Sequence, residues 1–430
     1  MIFGRNLIDE QTIAQLDRCG GDIAVLTADA HFGYGHPIGG AVAYRNKISL
    51  SGVGFDIACG NEAVKTDIMA DSINAGRVMD EIFRRISFGV GRINDEPVEH
   101  PVIERIAKSG LKNCASMWQM AEKQLGTVGS GNHFVDLFRD EEGWLWIGVH
   151  FGSRGFGHKT TTGFIALSHG KKWGEKAGEG GMDAPPILFD TDSEIGNDYI
   201  EALSLAGEYA YAGRDMVVSK VLEILDRPSV VFEVHNHHNF AWREEHFGEQ
   251  FWVVRKGCTP AFPGQQGFVG ATMADTSVVV EGIDSSLSQD GLYSTVHGAG
   301  RLMSRTMAAG KKKLHKWWKC GDWHNCDGRI ETSEHHHKED PTCPKCAKRM
   351  LKEKRWEIVK PGVVNWADSR KHMAELGIEL RGGGADESWQ CYKRLDEVLS
   401  AQGETIRVLH RLEPIGVAMA GGEVFDPYKD

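Results

Sequence analysis

The chain has 430 residues, 41% of them hydrophobic and 25% charged, with a formal net charge of -11. Those values are of an ordinary globular protein with a large core, and length alone allows one to three domains. The acidic balance argues against a general nucleic-acid coat, and no apolar run approaches the roughly 18 to 20 residues of a membrane span. The opening MIFGRNLIDEQTIAQLDRCGG is charged throughout and lacks the apolar core of a secretory signal. A cytoplasmic location without membrane contact is expected. There the nine cysteines stay reduced, for metal binding, catalysis or burial rather than bridging.

Residues 1–66 alternate short apolar runs with glycine loops and read as strands with motifs at their ends. Helical periodicity follows at 71–86 and 101–125. GTVGSGNHFVDLF and GWLWIGVHFGSRGFG read as strand, loop and strand. Residues 198–226 make the clearest long helix, stopped at Arg227-Pro228. SVVFEVHNHHNFAW, FWVVRKG and 270–282 read as strands, a helix is expected at about 388–401, and TIRVLHRL closes the chain as a strand. Motifs run from 29 to 301 with no linker between them, so one α+β (mixed α/β) catalytic domain is expected over 1–310 and 361–430, carrying a small insertion at 311–360.

GVGFDIACGN sets Asp56 and Cys59 three residues apart between glycines, which allow close backbone approach. His133 in GSGNHFVD, His150 in GVHFGSRG and His235 in EVHNHHN each follow strand-like residues and would project from a strand end. One thiolate, one carboxylate and these imidazoles are enough for two divalent ions if the sulfur bridges. Imidazole suits Mn, Fe, Co or Zn. Taken singly, each histidine is more simply a satisfied structural one and Cys59 a small buried hydrophobe. Only the set is informative.

VHGAGRLMSR places His297 before Gly298, Ala299, Gly300 and Arg301. Imidazole attacks phosphorus once a carboxylate holds its other nitrogen, and glycine amides with an arginine suit phosphate oxygens. DAHFGYGHPIGG offers Asp29 as that carboxylate, GSRGFG offers Arg154 as an anion site, and GATMADTSVVVEG offers the hydroxyls of Thr272 and Ser277. The plainer alternatives are glycine turns with surface histidines, a buried structural arginine, and strand-end hydroxyls bonded to backbone. There is no Walker A or Rossmann pattern.

In the insertion, Cys343-x2-Cys346 is a good half-site for tetrahedral zinc, with Cys320 and Cys326 as a looser second half. Residues 311–360 carry 14 Lys+Arg against 8 Asp+Glu, and four tryptophans accompany them. A structural zinc ribbon is expected, with a solvated loop as the alternative; its charge and tryptophans suggest contact with RNA, and lysines solvating a surface zinc module are an equal reading.

Five stretches in order, DAHFGYGHPIGG, GVGFDIACGN, GNHFVD, HFGSRG and HGAGR, resemble the RtcB family of RNA ligases over nearly the whole chain outside 311–360. The resemblance implies a single RtcB-like domain that joins RNA 3'-phosphate or 2',3'-cyclic phosphate ends to 5'-hydroxyl ends, using GTP and two manganese ions, in tRNA splicing or RNA repair. It implies that Asp56, Cys59, His133, His150 and His235 hold the metals, with Cys59 bridging, and that His297, oriented by Asp29, takes GMP from GTP. Asn132, His133, Gly270, Ala271, Thr272, Met273, Ser277 and the Gly298–Gly300 turn fall where the family grips the nucleotide. Asn236 and Arg301 match neighbours of the metals and of the nucleophile, and Tyr392 an aromatic ring against guanine. Asp136 stands where the family has a glutamate meeting guanine, Thr272-Met273-Ala274 replaces Ser-Met-Gly, and the usual terminal lysine is Ala420, leaving Lys429 in the extension to serve. These departures suit a divergent bacterial-type paralogue and put strict GTP preference in question. Two other readings remain: a dinuclear phosphodiesterase, which needs no His297, and a non-catalytic RNA-binding module.

Overall fold

The computed structural model describes residues 1–178, 180–332, 340–422 and 424. The fold is mixed α/β with several sheets. The largest sheet follows the order Gln266–Val269, Ser277–Gly282, Ile406–Gly421, Phe134–Asp140, Trp144–Phe151, Gly60–Met69 and Val230–His237, all antiparallel, with Glu379–Gly383 added parallel to Ile406–Gly421. Alternation decides its two faces. Val64, Leu137, Ile147 and Val149 pack with Val217 and Val221 of the long helix, while Ala63, Phe138, Trp146 and Val234 close on Phe268 and Leu412. A second, four-stranded antiparallel sheet runs Ile23–His31, Ile38–Tyr44, Glu249–Lys256, Asn239–His246. The cleft lies between the two sheets, lined by His31, Ile38 and Lys256 from one and Asn61, His150 and Val417 from the other.

The long helix spans Glu194–Ile224, starting four residues before the expected point because the Ser193 hydroxyl accepts the Gly196 amide and caps it. The periodic stretch at 101–125 is three short helices, Pro101–Ala107, Lys112–Ala115 and Trp118–Gln124, interrupted around Ser109-Gly110. The end of GWLWIGVHFGSRGFG, read as part of a strand, instead opens the helix Arg154–Ser168; the strand stops at Phe151. Arg154 is a structural arginine, donating to Gly89 O at 3.1 Å and Thr127 Oγ1 at 3.3 Å. Gly310–Cys320, Arg329–Glu331 and Met350–Pro361 form a separate three-stranded sheet. No described helix is long and apolar enough to cross a membrane.

Candidate metal and nucleotide site

The Asp56–Cys59 stretch is a tight turn, with Cys59 N donating to Asp56 O at 3.1 Å and Ala58 in the left-handed region at φ 58°. That turn is why a carboxylate and a thiol three residues apart face the same space. Asp56, Cys59 and His133 offer ligand atoms within 4.8 Å of one another, and so do Cys59, His150 and His238. Cys59 belongs to both groups. Its sulfur lies 3.6 Å from Nε2 of both His133 and His150, and His133 Nε2 is 2.9 Å from Asp56 Oδ2. Burial pushes the Cys59 thiol well up, helped by Asp56. Burial likewise holds His150 and His238 far below the usual imidazole range, in the neutral form that ligates. Buried His133 Nδ1 and His238 Nδ1 have no hydrogen-bond partner among the described residues.

His235 and Asn236 do not join this cluster. The strand ends at His237, and the next residue, His238, donates its amide to Cys59 O at 2.8 Å, which carries its ring beside the sulfur. Three residues of extended chain cover about 10 Å and reverse the face, so His235 lies opposite Glu62, near Asp215 and Glu233. There its Nε2 accepts from Arg214 Nε at 2.8 Å and its ring meets Tyr211 edge-on. Asn236 accepts the Phe268 amide at 3.2 Å. Asn239 lines the cleft in its stead, donating to Asp56 O at 3.3 Å. Sequence reading took the first histidine–asparagine pair of HNHHN where the second fits.

Three further residues went unread. Asn61 Oδ1 accepts the Nδ1 proton of His150 at 2.6 Å, which leaves Nε2 for the cluster. Lys256 lines the cleft from the smaller sheet. Arg214, fully buried, donates to Ala58 O at 3.1 Å, Phe151 O at 2.7 Å and His237 Nδ1 at 2.9 Å. None of the three stands in a spacing that carries meaning by itself.

Asp29 is buried in the smaller sheet and reaches His297 across the cleft wall. Its Oδ2 accepts from His297 Nδ1 at 2.7 Å and from the His297 amide at 3.0 Å, while Thr27 Oγ1 donates to Oδ1 at 2.6 Å. Burial alone would raise the Asp29 pKa, but His297 and these hydrogen bonds hold it below its usual value. With its proton on Nδ1, His297 keeps a lone pair on Nε2. The turn behind it depends on Gly300, at φ 76°, where a Cβ would sit 2.1 Å from Asp29 O.

The cleft, about 270 Å³, is also lined by Asn132, Asp136, Gly270, Ala271, Thr272, Met273, Gly298, Ala299, Gly300, Arg301 and Tyr392. Burial pushes Asp136 well above the usual carboxyl range, and its Oδ1 has no partner among the described residues. Arg301 is anchored by Asp386 O and by Tyr392 OH, both at 2.8 Å. Ser277 accepts the Ala271 amide at 2.9 Å behind the cleft wall, so its hydroxyl shapes the loop instead of lining the space. Lys429 lies outside the described residues.

Away from the cleft, Cys320, Cys326, Cys343 and Cys346 bring four sulfurs within 4.8 Å of one another. Cys320 and Cys346 are 3.3 Å apart, Cys326 and Cys343 3.6 Å, and the Asp322 amide donates to the Cys320 sulfur at 3.4 Å. Burial works to raise Cys343, yet amides of Lys345 and Cys346 bring its thiol down to about 7. Such a set suits tetrahedral zinc.

Two triads sharing a sulfur, beside a carboxylate-held histidine, make a donor set that could hold divalent cations next to an imidazole with a free Nε2. A family model described as "tRNA-splicing ligase RtcB" matches residues 10–120 and 111–361. The chain is 31% identical over 322 residues to the RNA-splicing ligase RtcB of Escherichia coli K12, covering 68% of this chain and 76% of that one. It is 30% identical over 372 residues to the tRNA-splicing ligase RtcB of Pyrobaculum aerophilum, covering 68% and 75%, and 28% identical over 368 residues to that of Archaeoglobus fulgidus, covering 68% and 74%. The chain belongs to the RtcB family.

Proposed function

We propose that this protein is a GTP-dependent RNA ligase that joins 3'-phosphate or 2',3'-cyclic phosphate ends to 5'-hydroxyl ends through a GMP carried on His297. The observation that carries this reading is the 2.7 Å contact of His297 Nδ1 with buried Asp29, beside a cleft lined by Asp56, Cys59, His150 and His238 of the two Cys59 triads. Asp56, Cys59 and His133 would hold one divalent ion, and Cys59, His150 and His238 the other. Manganese is the ion the resemblance implies, and bound there it would draw charge from the reacting phosphate.

His297 Nε2 attacks the GTP α-phosphorus, a P–N bond forms, the α–β anhydride bond breaks and pyrophosphate leaves. The ring becomes cationic and keeps its Nδ1 proton, and Asp29 stabilises that charge. A cyclic end is first opened by water to a 3'-phosphate. An oxygen of that phosphate attacks the carried GMP, and the P–N bond breaks to return neutral His297. The 5'-hydroxyl then displaces GMP and leaves a phosphodiester. Asp136 and Tyr392 take the guanine, and the service is tRNA splicing or RNA repair in the cytoplasm.

Incubation with α-labelled GTP and manganese, beside ATP, tests this directly. An acid-labile label on the protein, absent in His297→Ala, is expected; a phosphodiesterase or a passive RNA-binding module acquires none. Within the insertion at 311–360, the four clustered cysteines would hold a structural zinc ion. One zinc per chain that resists mild chelation, and is lost in Cys343→Ser, is the expected result by elemental analysis.

A further inference from the structure

In the ribbon, Gly310–Cys320 and Met350–Pro361 pair antiparallel, and directly opposed residues share a face. One face carries Lys313 opposite Glu357 and Trp317 between Glu353 and Glu331. Carboxylates neutralise part of the charge there: His315 meets Glu357 at 3.0 Å, Lys319 meets Glu353 at 3.1 Å, and Trp317 Nε1 donates to Glu353 at 2.6 Å. The other face carries Leu314, Lys316 opposite Lys354, Trp318 opposite Lys352, and Ile358. All three carboxylates of the ribbon's three strands, Glu331, Glu353 and Glu357, fall on the first face. Lys316, Lys352 and Lys354 are exposed, and no carboxylate partner for them occurs among the described residues.

Like charges placed directly opposite on a sheet destabilise it. A face that gathers three lysines while sending its acids to the reverse is arranged to meet an anion from outside. Lys352 sits 4.8 Å over the Trp318 ring, which steadies its ammonium group. The ribbon also springs from the cleft rim. Arg305, which lines the cleft, opens the helix Arg305–Ala309 that runs directly into Gly310, and the returning chain is stitched back by Val363 and Val364 amides to Met307 O and Ala308 O, both at 3.1 Å. Lys316 lies six residues up the strand, about 20 Å from that rim.

We propose that this lysine face binds the phosphate backbone of the RNA substrate where the strand leaves the cleft, an inference that rests on the ligase reading above. Each phosphate neutralised on single-stranded RNA contributes about 0.7 to the slope of log affinity against log salt. The triple variant Lys316→Gln, Lys352→Gln, Lys354→Gln should therefore lower that slope by about 2, so that raising salt from 50 to 200 mM costs about 20-fold less affinity than in the parent. The opposite-face control Lys311→Gln, Lys313→Gln, Lys360→Gln removes equal charge and should leave the slope within 0.5 of the parent. Both variants should keep zinc content and the GTP label, which reports that ribbon and cleft are intact; should the triple variant lose zinc, Lys354→Gln alone is read for a slope change of about 0.7. An unchanged slope in the first variant, or equal loss in both, overturns the proposal while the GTP label leaves the ligase reading standing. A parent protein that labels with GTP but binds an acidic peptide on this face in place of RNA overturns it also. Absence of both label and RNA binding removes the ligase reading, and this inference with it.

Discussion

His235 and His238 are three residues apart and chemically identical, yet their surroundings give them opposite duties. His238 faces the shared sulfur, whereas His235 spends its Nε2 on Arg214. His238→Ala should cut bound manganese from two ions per chain to one and abolish GTP labelling, while His235→Ala should retain both ions, as equilibrium dialysis will read. Gly300→Ala should lose labelling outright, because the added carbon lands on the Asp29 carbonyl and pushes the carboxylate away from His297. Residues whose chemistry is intrinsic, such as Cys59, His150, His297 and Asp29, were legible in the sequence. Asn61, Asn239 and Arg214 were not, since each works only through a partner that the fold brings from far along the chain.

Strands and helices show the same division. The alternation that separates Val64 from Ala63 is readable as a period of two, and so were the strands that deliver His133 and His150. The helix beginning at Arg154 was hidden by its glycines, which pack closely; a Cβ at Gly157 would come within 1.8 Å of Ser153 Oγ. Ser193→Ala should cost about 1 kcal/mol of stability by removing the cap of the long helix, measurable by urea denaturation. Glu62, on the strand Gly60–Met69, supplies a pH test. Burial first, then Asp215, raises its pKa from 4.5 to about 9. A carboxyl raised in the folded state favours folding while it stays protonated, so stability falls as pH climbs from about 4.5 towards 9. Glu62→Gln removes that dependence, and its melting temperature should exceed the parent's at pH 8 but not at pH 5. Equal melting temperatures at both pH values would count against a buried neutral Glu62.

At the scale of the molecule, two sheets make a cleft, and the reactive groups come from both: Cys59, His150 and His238 from the ends of the larger, Asp29 from the smaller. Chelation that strips the cleft should abolish labelling yet leave most of the fold, because the apolar clusters extend well beyond the ligand-bearing turns, over the long helix and the body of the larger sheet. Circular dichroism before and after chelation checks this. Arg214 has a consequence for how the site is assembled. Its guanidinium staples the carbonyls of Ala58 and Phe151 to His237, the three chain segments that carry Cys59, His150 and His238. The spacing of those three is thus fastened by a permanent organic cation before any inorganic one arrives. The proposed metal loading would then need little rearrangement, and a lysine in that position, with one ammonium point in place of a rigid fork, would let the segments drift apart.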